Sequence, residues 1–225
     1  MDVNDERLTR NMDMTDRTVR RPRTQAERSD ATRQVVIDAA LEVLHAQGYS
    51  GATIGTIRDT AGVSTGALNH QFPTKALLMA AVVQRFYDER LAAYIQATLS
   101  VSNAKEAVES IMDTTESVLR LPEMAAMLEI HLARRNDPDL DRLTKPIYKR
   151  FDRHARLGLR LVRRSSGGAN QIDFSQFRLL RFAVYRGLAM AVIDRAEDHE
   201  ISGALRLWRT AALRLVLSDE MASRP

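Results

Sequence analysis

Apolar residues recur at the three-and-four spacing of amphipathic helices along nearly the whole chain, with few strand signals and short breaks between series. The first series, Val36, Ile37, Ala40, Leu41 and Leu44, follows Ser29 or Asp30, either of them a competent N-cap, and stops where Gly48 supplies a left-handed residue. Ser50 to Ala52 bridge to Thr53, whose hydroxyl is placed to cap a short second helix through Ala61, with Ile54, Ile57 and Ala61 turned towards the first. Gly62 allows the positive φ that ends this helix, Val63 plugs the space between the two, and Ser64 caps a third helix over Thr65 to His70. Leu68 and Phe72 face inward there, which leaves Thr65, Ala67, Asn69 and His70 pointing elsewhere. Pro73 then breaks the chain.

The remainder predicts longer helices. Thr74 to about Thr98 carries Leu78, Val82, Phe86 and Ala93. Asn103, with Glu106 at capping-box spacing, opens a helix through Val108, Ile111, Met112, Thr115 and Leu119 as far as Pro122. Met124, Met127, Leu128 and His131 share a face before the Asn136-Asp137-Pro138 break. Asp137 caps a further long helix with Ile147, Phe151, His154, Gly158 and Leu161 on one side and Arg163 and Arg164 at its C-terminus, after which SSGGANQ makes a flexible link. Asp173 opens a helix through about Arg195 that is apolar nearly all round, with Ala183, Gly187 and Ala191 at four-residue spacing, so burial on two sides is expected. Ile201 to Leu217 forms the last, with a stripe running from Ile201 through Trp208 to Leu215. The fold class is all-α.

Composition adds bounds. With 225 residues, 44% of them hydrophobic, the chain has enough material for a full core. The absence of cysteine excludes disulfides and thiolate metal sites, and neither an apolar leader nor a membrane-length run is present, so a soluble cytoplasmic protein is expected. The net charge of +4 is concentrated: Arg17, Arg20, Arg21, Arg23, Arg28 and Arg33 face only Glu27 and Asp30 in the same segment. Residues 1–27 lack aliphatic periodicity and are expected to form a disordered basic arm, either a solvated tail or a phosphate-binding one. Domain boundaries are expected at 28–74, 75–218 and a flexible tail at 219–225. No enzyme motif emerges: Gly167-Gly168 lacks nucleotide-loop spacing, HExxH is missing, and Asp198-His199-Glu200 lacks partner ligands for a metal, so no catalytic residue, metal or cofactor is assigned.

The stretch Ala52 to Lys75 carries the candidate chemistry. A short capped helix, a glycine turn and a second helix with one apolar side and small polar residues on the other make a helix-turn-helix, since small side chains let a helix seat in the major groove and read base edges. Its alternative is an ordinary helical hairpin. Lys75 lies in the first turn of the next helix, where the dipole disfavours a cation unless something negative, such as a DNA phosphate, is nearby.

Thr53, Ile57, Ala61, Gly62, Val63, Ser64, Gly66, Leu68, Phe72 and Lys75, together with the preceding amphipathic helix, resemble the N-terminal domain of the TetR family over roughly residues 30 to 80. That resemblance implies a one-component transcriptional regulator: a three-helix DNA-binding domain, a fourth helix linking it to a larger helical ligand-binding domain, and a homodimer formed through the last two helices, where Tyr185 to Ala189 resembles the eighth helix of the family. It further implies that Thr53 and Lys75 contact phosphates of double-stranded DNA, with Thr65, Gly66, Ala67, Asn69 and His70 facing the groove beside Ser64. The chain departs from the family at Arg58, where a small alanine is usual, and at Asn69, where a tyrosine is usual. Arg58 either snorkels outward along its stem or adds a phosphate contact, and asparagine is also a competent adenine reader.

A small-molecule effector of unspecified identity is expected among Met112, Met124, Met127, His131, Tyr148, Phe151, His154 and Tyr185, which lie on mainly apolar faces; each is alternatively plain core. The expected function is a homodimeric repressor released from a palindromic operator by that ligand. Alternatives are an activator on the same fold, or a helical small-molecule-binding or interaction protein whose DNA affinity is weakened by Arg58 and Asn69.

Overall fold

A threonine rather than the expected Ser29 or Asp30 opens the first helix. In the computed structural model, which describes residues 24–99, 101, 103–165 and 173–222, the Thr24 hydroxyl accepts the Glu27 backbone N–H at 3.2 Å while the Glu27 carboxylate accepts the Thr24 N–H at 2.6 Å. This reciprocal capping box starts α1 (Gln25–Gly51) within the segment expected to be disordered, so residues 25–27 are helical. Apolar periodicity could not signal this turn because its residues are polar and mostly exposed; the T-x-x-E spacing was the available signal. The rest of the basic arm lies outside the described residues.

The next elements follow the expected caps. Thr53 accepts the Thr56 N–H at 3.1 Å to begin α2 (Ile54–Ala61), which ends on Gly62 at φ 63°. Ser64 accepts the Ala67 N–H at 3.1 Å to begin α3 (Thr65–Gln71). α4 (Lys75–Leu99) leads away from this three-helix head. Asn103 caps α5 (Ala104–Glu116), which ends short of Leu119 in a turn leading to α6 (Pro122–Ala133). The Asp137 carboxylate accepts the Leu140 N–H at 2.9 Å near the start of α7 (Pro138–Ser165), which carries Pro146 inside it.

α8 (Phe174–Ile193) stops before the expected Arg195, which takes φ 59° and lets the Ala196 N–H reach the Ala191 carbonyl at 2.9 Å. α9 (Asp198–Ala222) is longer than Ile201–Leu217 at both ends, so residues 219–222 of the expected tail are helical. The expected SSGGANQ link, apart from Ser165, and the side chains of Leu161, Arg163 and Arg164 lie outside the described residues. No helix among the described residues is long and apolar enough to cross a membrane.

Two apolar clusters organise these helices. The first joins Val36, Ala40 and Leu44 of α1, Ile57 of α2 and Leu68 of α3 to Leu78 and Val82 of α4, Ala126 and Ile130 of α6, and Leu140 of α7. The second joins Tyr94 of α4, Ile111 and Met112 of α5, Phe177 and Tyr185 of α8, and Trp208 and Ala212 of α9; Phe177 and Trp208 stack with ring centroids 6.0 Å apart. Within the chain α8 is buried on one side, and no helix among the described residues covers the second side on which burial is expected. Phe177, Tyr185 and Ala189 face the cluster, whereas Leu179, Leu180, Met190 and Ile193 are exposed.

Gly48 interrupts α1 at φ 66°, ψ −176°, a conformation essentially confined to glycine, and a Cβ there would also sit 3.6 Å from the Glu129 carboxylate of α6. Gly48→Ala is therefore expected to lower unfolding stability by about 1–3 kcal/mol, read from the denaturant midpoint at unchanged m-value; a midpoint equal to that of the parent would show that the backbone relaxes into an ordinary helical turn.

Candidate functional site

α3 is anchored from behind and bare in front. Leu68 is fully buried and Phe72, just past the helix, is 1% exposed. The Arg33 guanidinium lies 4.6 Å from the Phe72 ring centroid, and the Gln71 side-chain amide donates to the Ser29 hydroxyl at 2.7 Å. The front carries Thr65, Gly66, Asn69 and His70, all exposed, with Ala67 partly so. A Cβ at Gly66 would meet nothing within 4 Å, so packing inside the chain does not account for glycine at that position. Thr53 and Ser64 are exposed beside this face, each with its hydroxyl engaged in a helix cap.

Arg58 takes the outward course. Its Nε donates to the Asp59 carboxylate at 2.8 Å, and its Nη1 donates to the Thr65 hydroxyl at 3.3 Å, bridging α2 to the first residue of α3. Arginine at a position where alanine is usual thus leaves the helix pair intact and adds a tie between its members.

Lys75 is engaged internally. Its ammonium donates to the Tyr49 carbonyl at 2.6 Å and sits 3.9 Å from the Tyr49 ring centroid. Burial lowers the lysine pKa while the Asp137 charge opposes that shift. Tyr49 in turn donates its backbone N–H to Glu129 at 3.2 Å and points its hydroxyl at Asp137, 3.5 Å away; burial, and secondarily Asp137, push the phenol up to about 12. The end of α1, the start of α4, α6 and the approach to α7 therefore meet around one tyrosine, a junction that no local spacing in the chain announced.

A cavity of about 420 Å³ lies among α4 to α8. Of the residues expected to hold a ligand, Met124, Met127, His131, Tyr148, Phe151 and Tyr185 line it, whereas Met112 and His154 do not. Met112 is 1% exposed inside the second cluster, and the His154 ring bonds within its own helix to the Arg150 carbonyl at 2.8 Å. Phe86, Tyr87, Tyr94 and Phe182 complete the aromatic wall. The charged lining was missed: Arg90, Lys149, Arg178, Arg181 and Arg186 accompany one carboxylate, Asp152. Burial, then Arg186 and Arg134, lower the pKa of His131, and burial raises those of Tyr87, Tyr148 and Tyr185.

A family model described as bacterial regulatory proteins, tetR family, matches residues 36–82. The chain is similar to the HTH-type transcriptional regulator CymR of Pseudomonas putida, 31% identical over 118 residues covering 52% of this chain and 58% of that protein. It is similar also to the HTH-type transcriptional repressor AcnR of Corynebacterium efficiens, 25% identical over 185 residues covering 81% and 93%. Among solved structures it resembles the transcriptional regulator FadR of Bacillus subtilis in complex with stearoyl-CoA, with a TM-score of 0.65 at 19% identity over 82% of this chain and 97% of that one. The likeness to FadR is one of fold, and the chain spans 58% of the length of CymR.

Because its ammonium bonds a backbone carbonyl at the Tyr49 junction, Lys75→Ala is expected to destabilise the DNA-free protein by about 1 kcal/mol. A lysine that served DNA alone would leave the thermal midpoint where it was, and that result would remove the junction role.

Proposed function

The chain belongs to the TetR family of bacterial regulatory proteins, and from that premise we propose that it is a DNA-binding transcriptional regulator: a homodimeric repressor that leaves a palindromic operator when a small molecule occupies the cavity. The observation that carries this is the front of α3, where Thr65, Gly66, Asn69 and His70 stand exposed on a helix whose back is fixed by Leu68 and whose ends are tied by Arg58 and Gln71. Small polar groups on a rigid helix suit major-groove readout, in which the side chains meet base edges and neighbouring hydroxyls and amides meet phosphates. In this scheme Asn69 and His70 read bases, Gly66 lets the backbone come close, and Thr53, Ser64 and Lys75 face the phosphates.

The exposed apolar faces of α8 and α9 support a dimer in the same scheme. Leu179, Leu180, Met190 and Ile193 of α8 and Leu207 and Leu215 of α9 are exposed, Leu207 to 75%. Ala183 and Gly187 are exposed with them, and a Cβ at Gly187 would touch nothing within 4 Å, so the small-residue track is open for a facing helix. Two such faces brought together would cover the apolar side of α8 and hold two recognition helices about one DNA turn apart, roughly 34–36 Å.

The cavity is coupled to the head through α6. Met127 and His131 line the cavity, while Glu129 and Ile130 between them meet Tyr49 and the first cluster. A ligand that fits one position of α6 better than another would shift the spacing of the two heads by the difference in its affinities for the two states.

The protein is expected to enrich a palindromic sequence from a random duplex library and to retard that duplex in gels. Asn69→Ala and His70→Ala should relax preference at separate base pairs, each by about 1–3 kcal/mol, whereas Thr53→Ala should weaken all sequences alike. Failure to enrich any sequence at low salt would remove the repressor proposal, and a uniform loss at Asn69 and His70 would move them to the backbone. Leu207→Glu is expected to shift the chain to a monomer in sedimentation velocity; an unchanged dimer would place the interface elsewhere.

A further inference from the structure

Arg181 is 2% exposed and lines the cavity, and it is the one buried charged side chain among the described residues. Its Nε and Nη1 have no acceptor. No carboxylate among the described residues pairs with it; its hydrogen-bonding neighbour is the Tyr94 hydroxyl, and the ring of Phe182 lies 5.0 Å from its guanidinium carbon. An aspartate or glutamate escapes such burial by taking up a proton, and a lysine by losing one, but a guanidinium keeps its charge. The surroundings add to the imbalance. Arg178 pairs with Asp152 yet leaves its own Nε without an acceptor, as does Arg90, and Asp152 is shared with Arg156. His131, in the same lining, has its pKa lowered first by burial and then by the charges of Arg186 and Arg134.

We propose that the cavity takes an organic acid, its carboxylate meeting the Arg181 guanidinium and its flat apolar body lying among Tyr87, Tyr148, Phe151 and Phe182. The proposal rests on the effector role given to the cavity above and names the chemical class of that effector. A carboxylate brings about four acceptor positions, enough to engage the open donors of Arg181 and a neighbouring arginine together. The walls fix the other end. Tyr87 meets Tyr148 at 5.2 Å and Phe151 at 4.7 Å between centroids, so these rings pack on one another into one aromatic wall against which a ring or other planar group can lie. At about 420 Å³ the space is at the small end of ligand cavities, which favours a compact acid over a long-chain one.

The test uses the full chain and two isosteric probes, 2-naphthoate and 2-naphthamide, titrated calorimetrically. The acid is expected to bind at least about tenfold more tightly than the amide, since a hydrogen bond to a charged group separates them. Arg181→Met, which replaces a buried charge by a side chain of similar length, should remain folded by circular dichroism and bind the two probes alike; Arg181→Lys should keep a reduced preference for the acid. Equal binding of acid and amide by the parent protein, binding of neither at millimolar concentration, or an undiminished preference in Arg181→Met would each overturn the proposal. Release of the selected duplex, followed in parallel, separates this from the reading beneath it. Arg181-dependent binding of the acid without release would uphold the anion site and remove the effector role, whereas release by the amide through a site indifferent to Arg181 would do the reverse.

Discussion

Ile130 of α6 and Leu140 of α7, each fully buried, sit in the same apolar cluster as Val36 of α1, Ile57 of α2 and Leu68 of α3. The head of α1, α2 and α3 does not close its core by itself: its interior is completed by residues from the body. The helix that meets DNA in the proposed scheme therefore rests on the helices that border the cavity. Rigid coupling follows from packing density: a close-packed interior does not deform gradually, so a displacement of α6 moves the head or costs contacts in the shared core. The Tyr49 junction adds polar ties at the same seam, where the backbone N–H of Tyr49 donates to Glu129 of α6 and its carbonyl accepts from Lys75 of α4.

Helical spacing and capping chemistry made most of the fold legible. Thr53, Gly62, Ser64 and Asn103 do in the structure what their residue types require, and these positions delimit the helix pair that presents α3. The start of α1 was less legible because its first turns are solvated on all sides and offer no apolar rhythm; only the Thr24–Glu27 box marks it. α8 is less legible for a different reason: Leu179, Leu180, Met190 and Ile193 are residue types that signal burial, yet within the single chain they are exposed.

The cavity divides in the same manner. Met124, Met127, Tyr148 and Tyr185 were legible as apolar or aromatic residues on inward faces. Its arginines were not, since arginine at helical spacing reads as solvent-facing and Arg181 differs from its exposed neighbours only in the tertiary packing around it. Met112 and His154 show the converse error: an inward face is shared by core and cavity, and residue type does not say which of the two a side chain joins.

The position of the cavity between the two clusters gives its filling mechanical consequence. Phe86 belongs to the first cluster and Tyr94 to the second, both lie on α4, and both line the cavity; Met124 of α6 packs against both clusters and lines it as well. α4 is thus one rod crossing from the head's core to the core of α5, α8 and α9, with the cavity beside its midpoint. A molecule placed there adds contacts to both clusters at once, so its affinity depends on their mutual placement. By linkage, that placement depends on the molecule. In the dimer proposed above, the faces of α8 and α9 would hold the second cluster against its counterpart, leaving the first cluster and the α3 helix built on it to take up the change.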